Sequence, residues 1–301
     1  MIPLIHLWYL KLALLDFFWC QENKYNIESI GAQNGKIKEV LAIINNTKPN
    51  KNNFFVIDGI WAHEKAINND IEVDSFIFCP EIITSPEAMN LIEGFFKRAK
   101  KTYQVSLKTF MKICEKDDPK GMISICKFPL KTLDDIKLNK NNIIIVLDGL
   151  EIPGNVGTIL RTCDGANIDA VFLCNRRARI THPKIIKGSM GAAFTKPIVE
   201  FSSVEECKAW LKKKNFKIYL TDTRATKTYF EESYDGRVAL IVGSERYGIT
   251  KPWYDGDYEM IMIPMLGQCD SLNVAIATTN NSTTRIIINC QISIVIPIFT
   301  P

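Results

Sequence analysis

The second half of the chain alternates short, wholly apolar runs with segments of helical period, and this alternation constrains the fold more than any other feature. The run "IIIVLDGL" (143–150) has no polar face, so it reads as a strand buried on both sides, as in a parallel sheet. A helix at 156–166, the strand "AVFLC" (170–174), a helix near 182–189 and a helix at 203–214 follow it. Strands "KIYLTD" (217–222), "RVALIVG" (237–243) and "EMIMIPM" (259–265) complete the series. Alternation of this kind predicts an open, largely parallel α/β sheet whose ligands sit beyond the carboxyl ends of the strands.

The first half alternates as well, through "FFVIDG", a helix around Trp61 to Asn68, "SFIFC" (75–79), "TYQVS", a helix through Phe110 and Met111, and "GMISICKF". In "SPEAMNLIEGFFKRAKK", Ser85 stands at N-cap, Pro86 at N1 and Glu87 in the first turn, with basic residues closing the helix. The chain divides into an apolar extension (1–24), a small α/β module (25–128), a polar linker "PLKTLDDIKLNKNN" (129–142), a larger α/β domain (143–279) and a tail (280–301). Its 301 residues suffice for two cores.

A hydrophobic fraction of 47% and a charged fraction of 23% exclude a disordered chain. The net charge of +4 is compatible with a nucleic-acid partner. The 9 cysteines include no CxxC pair, which points to reduced thiols in a cytoplasmic protein. His6, His63 and His182 are scattered, so no metal site is expected. The leader "MIPLIHLWYLKLALLDFFWC" carries His6, Lys11 and Asp16 and lacks both a basic start and a small-residue cleavage site. It therefore reads as a packed or poorly ordered extension, not as a membrane span or signal peptide.

Each of three strand-to-loop junctions carries polar residues where α/β proteins place function: "EIPGNVGTILR", "GSERYG" and "IPMLGQCDSLN". Gly154 and Gly157 do not make a dinucleotide fingerprint. Asn155 falls at or near an N-cap, and Arg161 lies two turns into a helix with Val156, Ile159 and Leu160. Ser271 can cap a helix through Leu272, Val274, Ala275, Ile276 and Ala277, which the polar run Thr278 to Thr284 should stop. Singly, these patterns also suit a cap, a snorkelling arginine and a surface turn; together, at strand ends of one domain, they point to a site. No acidic residue occurs between Ala170 and Val199, whereas Arg176, Arg177, Arg179, Lys184, Lys187 and Lys196 do. That span reads as a phosphate track, with a solvated basic face as the alternative.

In order and wording, "NVGTILR", "GSERYG" and "IPMLGQCDSLNV" resemble the motifs of the TrmH-type branch of the SPOUT RNA methyltransferases. The resemblance covers about 143–277 and includes the connecting segment "PKIIKGSMGAAF" (183–194); "VIDGIWAHEKA" is similar to the family's small ribosomal-protein-like substrate-binding domain. It implies a trefoil-knotted parallel-sheet domain, S-adenosylmethionine bent in the knot, and a homodimer with RNA crossing both subunits. Carried over by position, the cofactor contacts are Gly243, Ile263 and Leu272, and the catalytic surface is Asn155, Arg161, Glu245, Ser271 and Asn273. The implied reaction is methyl transfer to a ribose 2′-hydroxyl, of ribosomal RNA rather than tRNA because of the extra module. No histidine lies in the motifs to take the hydroxyl proton. A guanidinium resists deprotonation, so Arg161 is read as a phosphate clamp or alkoxide stabiliser oriented by Glu245. The alternative reading is a catalytically inactive RNA-binding protein on the same scaffold. From Thr279 the sequence departs from the family: Asn and Thr are poor helix formers, and the β-branched run from Ile286 to Ile298 favours extended chain.

Overall fold

The computed structural model describes residues 24–279, apart from 48–49, 51, 84–85, 115–116, 118 and 269–270. The expected N-cap at Ser85, the 1–24 extension up to residue 23, and the 280–301 tail lie outside the described residues. The chain separates into two compact units, residues to Pro129 with Thr181–Ile186, and Leu130–Ile180 with Lys187 onward.

The first unit contains β1 (Glu28–Ser29), α1 (Gly35–Ile44), β2 (Phe54–Asp58), α2 (Gly59–Asn68), β3 (Val73–Phe78), α3 (Pro86–Arg98), β4 (Lys101–Gln104), α4 (Leu107–Phe110) and β5 (Met122–Lys127). Its sheet runs β1-β4-β3-β5-β2, with β5 antiparallel to both neighbours. α3 buries Ala88, Ile92, Phe95 and Phe96, the stripe that a period of 3.6 puts on one face, and places Glu87 in its first turn and Arg98 in its last. His63 is fully buried against Phe95 at a ring separation of 4.6 Å; Nδ1 is 2.6 Å from the Gly59 carbonyl and Nε2 is 3.0 Å from Ser124 Oγ. Burial holds its pKa down to about 4, against the Gly59 hydrogen bond that favours the charged ring.

The second unit follows the predicted alternation. It contains β6 (Ile143–Asp148), α5 (Pro153–Gly165), β7 (Ala170–Cys174), α7 (Ala192–Thr195), β8 (Ile198–Glu200), α8 (Val204–Lys213), β9 (Phe216–Thr221), β10 (Lys227–Thr228), β11 (Arg237–Gly243) and β12 (Glu259–Met262); α6 (Pro183–Gly188) is divided, its residues to Ile186 counting with the first unit. The sheet order is β10-β12-β9-β11-β6-β7-β8, and every pairing is parallel. Ile144, Val146, Phe172, Leu220, Ile241 and Trp253 are in its core, which explains why these strands carry no polar face. β12 ends before the expected Met265, since Pro264 has no N–H to give the ladder. The stretch expected as linker is tied down: Ile136 is buried in the same core, with Leu133 and Leu138 packed on it.

Cys79, Cys114, Cys126, Cys163, Cys174 and Cys207 are free thiols, and burial pushes Cys163 up to about 12. No described helix is long and apolar enough to cross a membrane.

Candidate active site

The loop after β11 is where the chain is most constrained. A Cβ on Gly243 would lie 2.2 Å from the Gly248 carbonyl carbon and 2.3 Å from the Ile249 nitrogen, both backbone atoms that cannot give way. Ser244 and Gly248 exchange two backbone hydrogen bonds of 3.0 Å, and Gly248 takes φ +68°, a conformation that glycine adopts without strain. Ser244 Oγ accepts from the Tyr247 N–H at 3.0 Å. Both glycines of "GSERYG" are thus required to close the loop, which leaves Glu245 exposed at its tip.

Glu245 is engaged from α5. The Asn155 side-chain Nδ2 donates to Glu245 Oε1, and Asn155 Oδ1 accepts from Asn273 Nδ2 at 3.4 Å. Asn155 is therefore not the N-cap: Ile152 occupies that position, Pro153 opens the helix, and Asn155, third in α5, is released to bridge two other segments. Ser271 is not the cap of the last helix either. That helix spans 274–279, and Asn273 Oδ1 accepts from the Ala275 N–H at 3.0 Å, the standard N2 contact. The helix also continues through Thr278 and Thr279, whose hydroxyls donate to the carbonyls of Val274 (2.7 Å) and Ala275 (2.8 Å). Thr279 Oγ1 lies 3.1 Å from Thr162 Oγ1, joining this helix to α5.

Arg161 does not pair with Glu245 as expected. It is exposed, and among the described residues nothing engages its guanidinium. Arg161 lies six positions after Asn155, the residue that does hold Glu245, which puts it about 9 Å further along α5 and on another face.

The carboxyl ends of β9, β11 and β12 and the start of the last helix enclose a cavity of about 900 Å³. Gly243, Ile263 and Leu272 all line it, as do Glu245 and Ser271; Asn155, Arg161 and Asn273 do not. Sequence reasoning missed a further wall of this cavity. Asp222, just past β9, accepts from Arg224 Nη2 at 2.6 Å and Nε at 3.0 Å, and from the Tyr254 hydroxyl. The Arg224 hydrogen bond, helped by Tyr254, takes the Asp222 pKa down to about 2 although burial opposes it. The guanidinium sits 5.2 Å from the Tyr254 ring centre. The available signal was an acid ending a buried strand, "KIYLTD". Asp148 at the end of β6 was missed too: fully buried, it accepts from Asn175 Nδ2 and the Thr250 N–H, each at 2.7 Å.

The acid-free basic span is less free than it reads. Arg176 pairs with Glu200 at 2.6 Å, and Arg179 and Lys187 also have partners. Arg177 and Lys184 are exposed, and nothing among the described residues engages their side chains. The acid opposite Arg176 comes from the neighbouring strand, which linear sequence does not display. No group of His, Cys, Asp and Glu among the described residues could hold a metal ion.

Residues 142–279 match the SpoU rRNA Methylase family, and residues 34–124 match the MRM3-like substrate binding domain. Over 249 residues the chain is 28% identical to the 23S rRNA (guanosine(2553)-2'-O)-methyltransferase RlmP of Bacillus subtilis (strain 168), covering 82% of this chain and 94% of that protein. It is 32% identical to the 23S rRNA (guanosine-2'-O-)-methyltransferase RlmB of Salmonella typhi over 48% of this chain and 60% of that one. The crystal structure of the SpoU methyltransferase AviRb from Streptomyces viridochromogenes with AdoMet superposes with a TM-score of 0.75 at 21% identity, covering 86% of this chain and 99% of that one. At that identity the likeness is one of fold.

Proposed function

We propose that the protein, whose residues 142–279 match the SpoU rRNA Methylase family and whose residues 34–124 match the MRM3-like substrate binding domain, transfers a methyl group from S-adenosylmethionine to a ribose 2′-hydroxyl of ribosomal RNA. The observation that carries this reading is the Asn155 bridge, which holds Glu245 in the lining of the cavity at the carboxyl ends of β9, β11 and β12.

The residues present fit the cofactor. Ile263, Leu272, Val242 and Ile261 offer apolar walls, Gly243 lets backbone approach closely, and the exposed Glu245 carboxylate supplies negative charge suited to a sulfonium, whereas the charge of Asp222 is already met by Arg224. When bound, S-adenosylmethionine supplies an electrophilic methyl group. The chain's own work is then positioning and charge. Gly243, Ile263 and Leu272 hold the cofactor, Ser271 and Asn273 order the segment over it, and Asn155 fixes Glu245 beside the acceptor. Arg161 clamps a phosphate or stabilises the alkoxide as the hydroxyl loses its proton. Because Arg161 is exposed, unengaged by any described residue and outside the cavity lining, it serves the site of a second copy in a homodimer. The parallel-sheet domain takes the knotted SPOUT topology, RNA follows Arg177 and Lys184 with Arg176, Arg179 and Lys187 alongside, and the free thiols accord with a cytoplasmic setting.

The test is to incubate the protein with labelled S-adenosylmethionine and unmodified ribosomal RNA and to digest the product to nucleosides. Label on ribose 2′-oxygen is expected. Label confined to a base would overturn the assignment, and RNA binding without any cofactor binding by calorimetry would select the inactive scaffold.

A further inference from the structure

A second cavity, of about 390 Å³, opens at the carboxyl ends of β6 and β7 and the start of α8. Ser244, Tyr247 and Gly248 line both cavities, so the loop carrying Glu245 is their common wall. We propose that this second cavity receives the base of the nucleotide being methylated and that its charge pattern selects guanine. The inference rests on the methyl-transfer reading above.

The lining sorts into groups already committed and groups that are free. Asp148 accepts one bond at each oxygen, from Asn175 and Thr250, and Ser203 Oγ accepts from the Glu206 N–H at 3.1 Å. These fix the floor. Glu151, Glu205 and Arg177 also line the cavity; all three are exposed, and nothing among the described residues engages their side chains. Tyr247 exposes 67% of its surface, with the Arg246 guanidinium 5.2 Å from its ring centre.

A nucleobase meets each of these needs. Enzymes acting within structured RNA extrude the target nucleotide and need somewhere to hold its base. An exposed tyrosine beside an arginine offers a stacking face for an unpaired base. Hydrogen-bond pattern then distinguishes the bases. Guanine alone presents two adjacent donors, N1–H and N2–H, matching both oxygens of one carboxylate, while O6 and N7 accept from an arginine. Adenine and cytosine place an acceptor where a carboxylate needs a second donor, and uracil flanks its single N–H with two carbonyls. A cavity with unengaged carboxylates and one unengaged guanidinium is therefore complementary to guanine. A base held there brings its ribose toward the shared wall and Glu245.

The experiment first maps the nucleotide methylated by the wild-type protein in an unmodified ribosomal RNA transcript, then replaces it with inosine, which lacks the 2-amino group. Guanosine is expected at the mapped position, with kcat/KM falling about tenfold on the inosine transcript. Glu151→Gln or Glu205→Gln should erase that difference, and Arg177→Ala should lower kcat/KM about tenfold, all with unchanged S-adenosylmethionine affinity in equilibrium dialysis. Methylation of adenosine, cytidine or uridine overturns the proposal, as does full retention of the guanosine preference by all three variants. If no RNA is methylated, the methyl-transfer reading fails, and the cavity is read by saturation-transfer NMR with guanosine and adenosine monophosphates. A guanosine preference lost in Arg177→Ala sustains the cavity assignment; equal or absent binding ends it.

Discussion

The amide of Asn155 faces two ways, donating to Glu245 through its nitrogen and accepting from Asn273 through its oxygen at 3.4 Å. Three separate motifs thereby meet on one side chain. Asn155→Ala removes the bridge and leaves a freely rotating carboxylate. Methyl transfer should fall on the order of 10²-fold, with Asn155→Asp worse because it sets two carboxylates together. Single-turnover rates at saturating cofactor check this, and an Asn155→Ala rate within threefold of wild type would show the bridge to be idle.

Gly243→Ala tests the loop itself. With backbone 2.2 Å from the new Cβ, the Gly243–Gly248 closure must open. A loss of roughly 2–4 kcal/mol in stability is expected, together with loss of measurable cofactor binding. Calorimetric unfolding and equilibrium dialysis report the two effects separately.

Arg161 and Glu245 offer a complementation test of the proposed homodimer. Arg161→Ala and Glu245→Gln should each be inactive alone. Mixed under subunit exchange they should recover about a quarter of wild-type activity, since half of the dimers would contain one intact composite site. Failure to recover any activity, with exchange verified by native mass spectrometry, argues against a shared site.

His63 gives the first unit a dependence on acid. Its folded pKa is depressed to about 4 from an ordinary value of 6.5, chiefly by burial, so the neutral ring is the native form. The stabilisation is complete above pH 6.5 and is lost progressively as pH falls toward 4, to a total of about 3 kcal/mol. Thermal unfolding of the full chain at pH 5 and 7.5 should show a larger drop for wild type than for His63→Gln. Equal drops would place the acid sensitivity elsewhere.

The parts of this protein that were legible in its sequence are those where one residue type has one physical use. β6, β7 and β11 were legible because a strand covered on both faces admits only apolar side chains. The glycines of "GSERYG" were legible as loop residues, though the reason, backbone crowding at Gly243, arises only in the folded chain. Where two residues could serve, the pattern misled. Ser271 and Asn273 are both good caps, and the helix begins after the second. Asn155 reads as a cap until Pro153 takes the helix start. The Arg161–Glu245 pair failed because motif order says nothing about the face of α5 on which a residue falls. Of the Asp222–Arg224–Tyr254 cluster only the strand-ending acid was legible, because Tyr254 reaches it through tertiary structure.

The loop from Gly243 to Gly248 separates two chambers and has no slack. Anyone wishing to redirect such an enzyme to a different nucleotide therefore faces an asymmetric choice. Changes within the loop would disturb cofactor and acceptor together, whereas Glu151, Arg177 and Glu205 stand outside it, on one chamber only. Retargeting is accessible from that far side, where acceptor preference can drift while the methyl donor's seat is left intact.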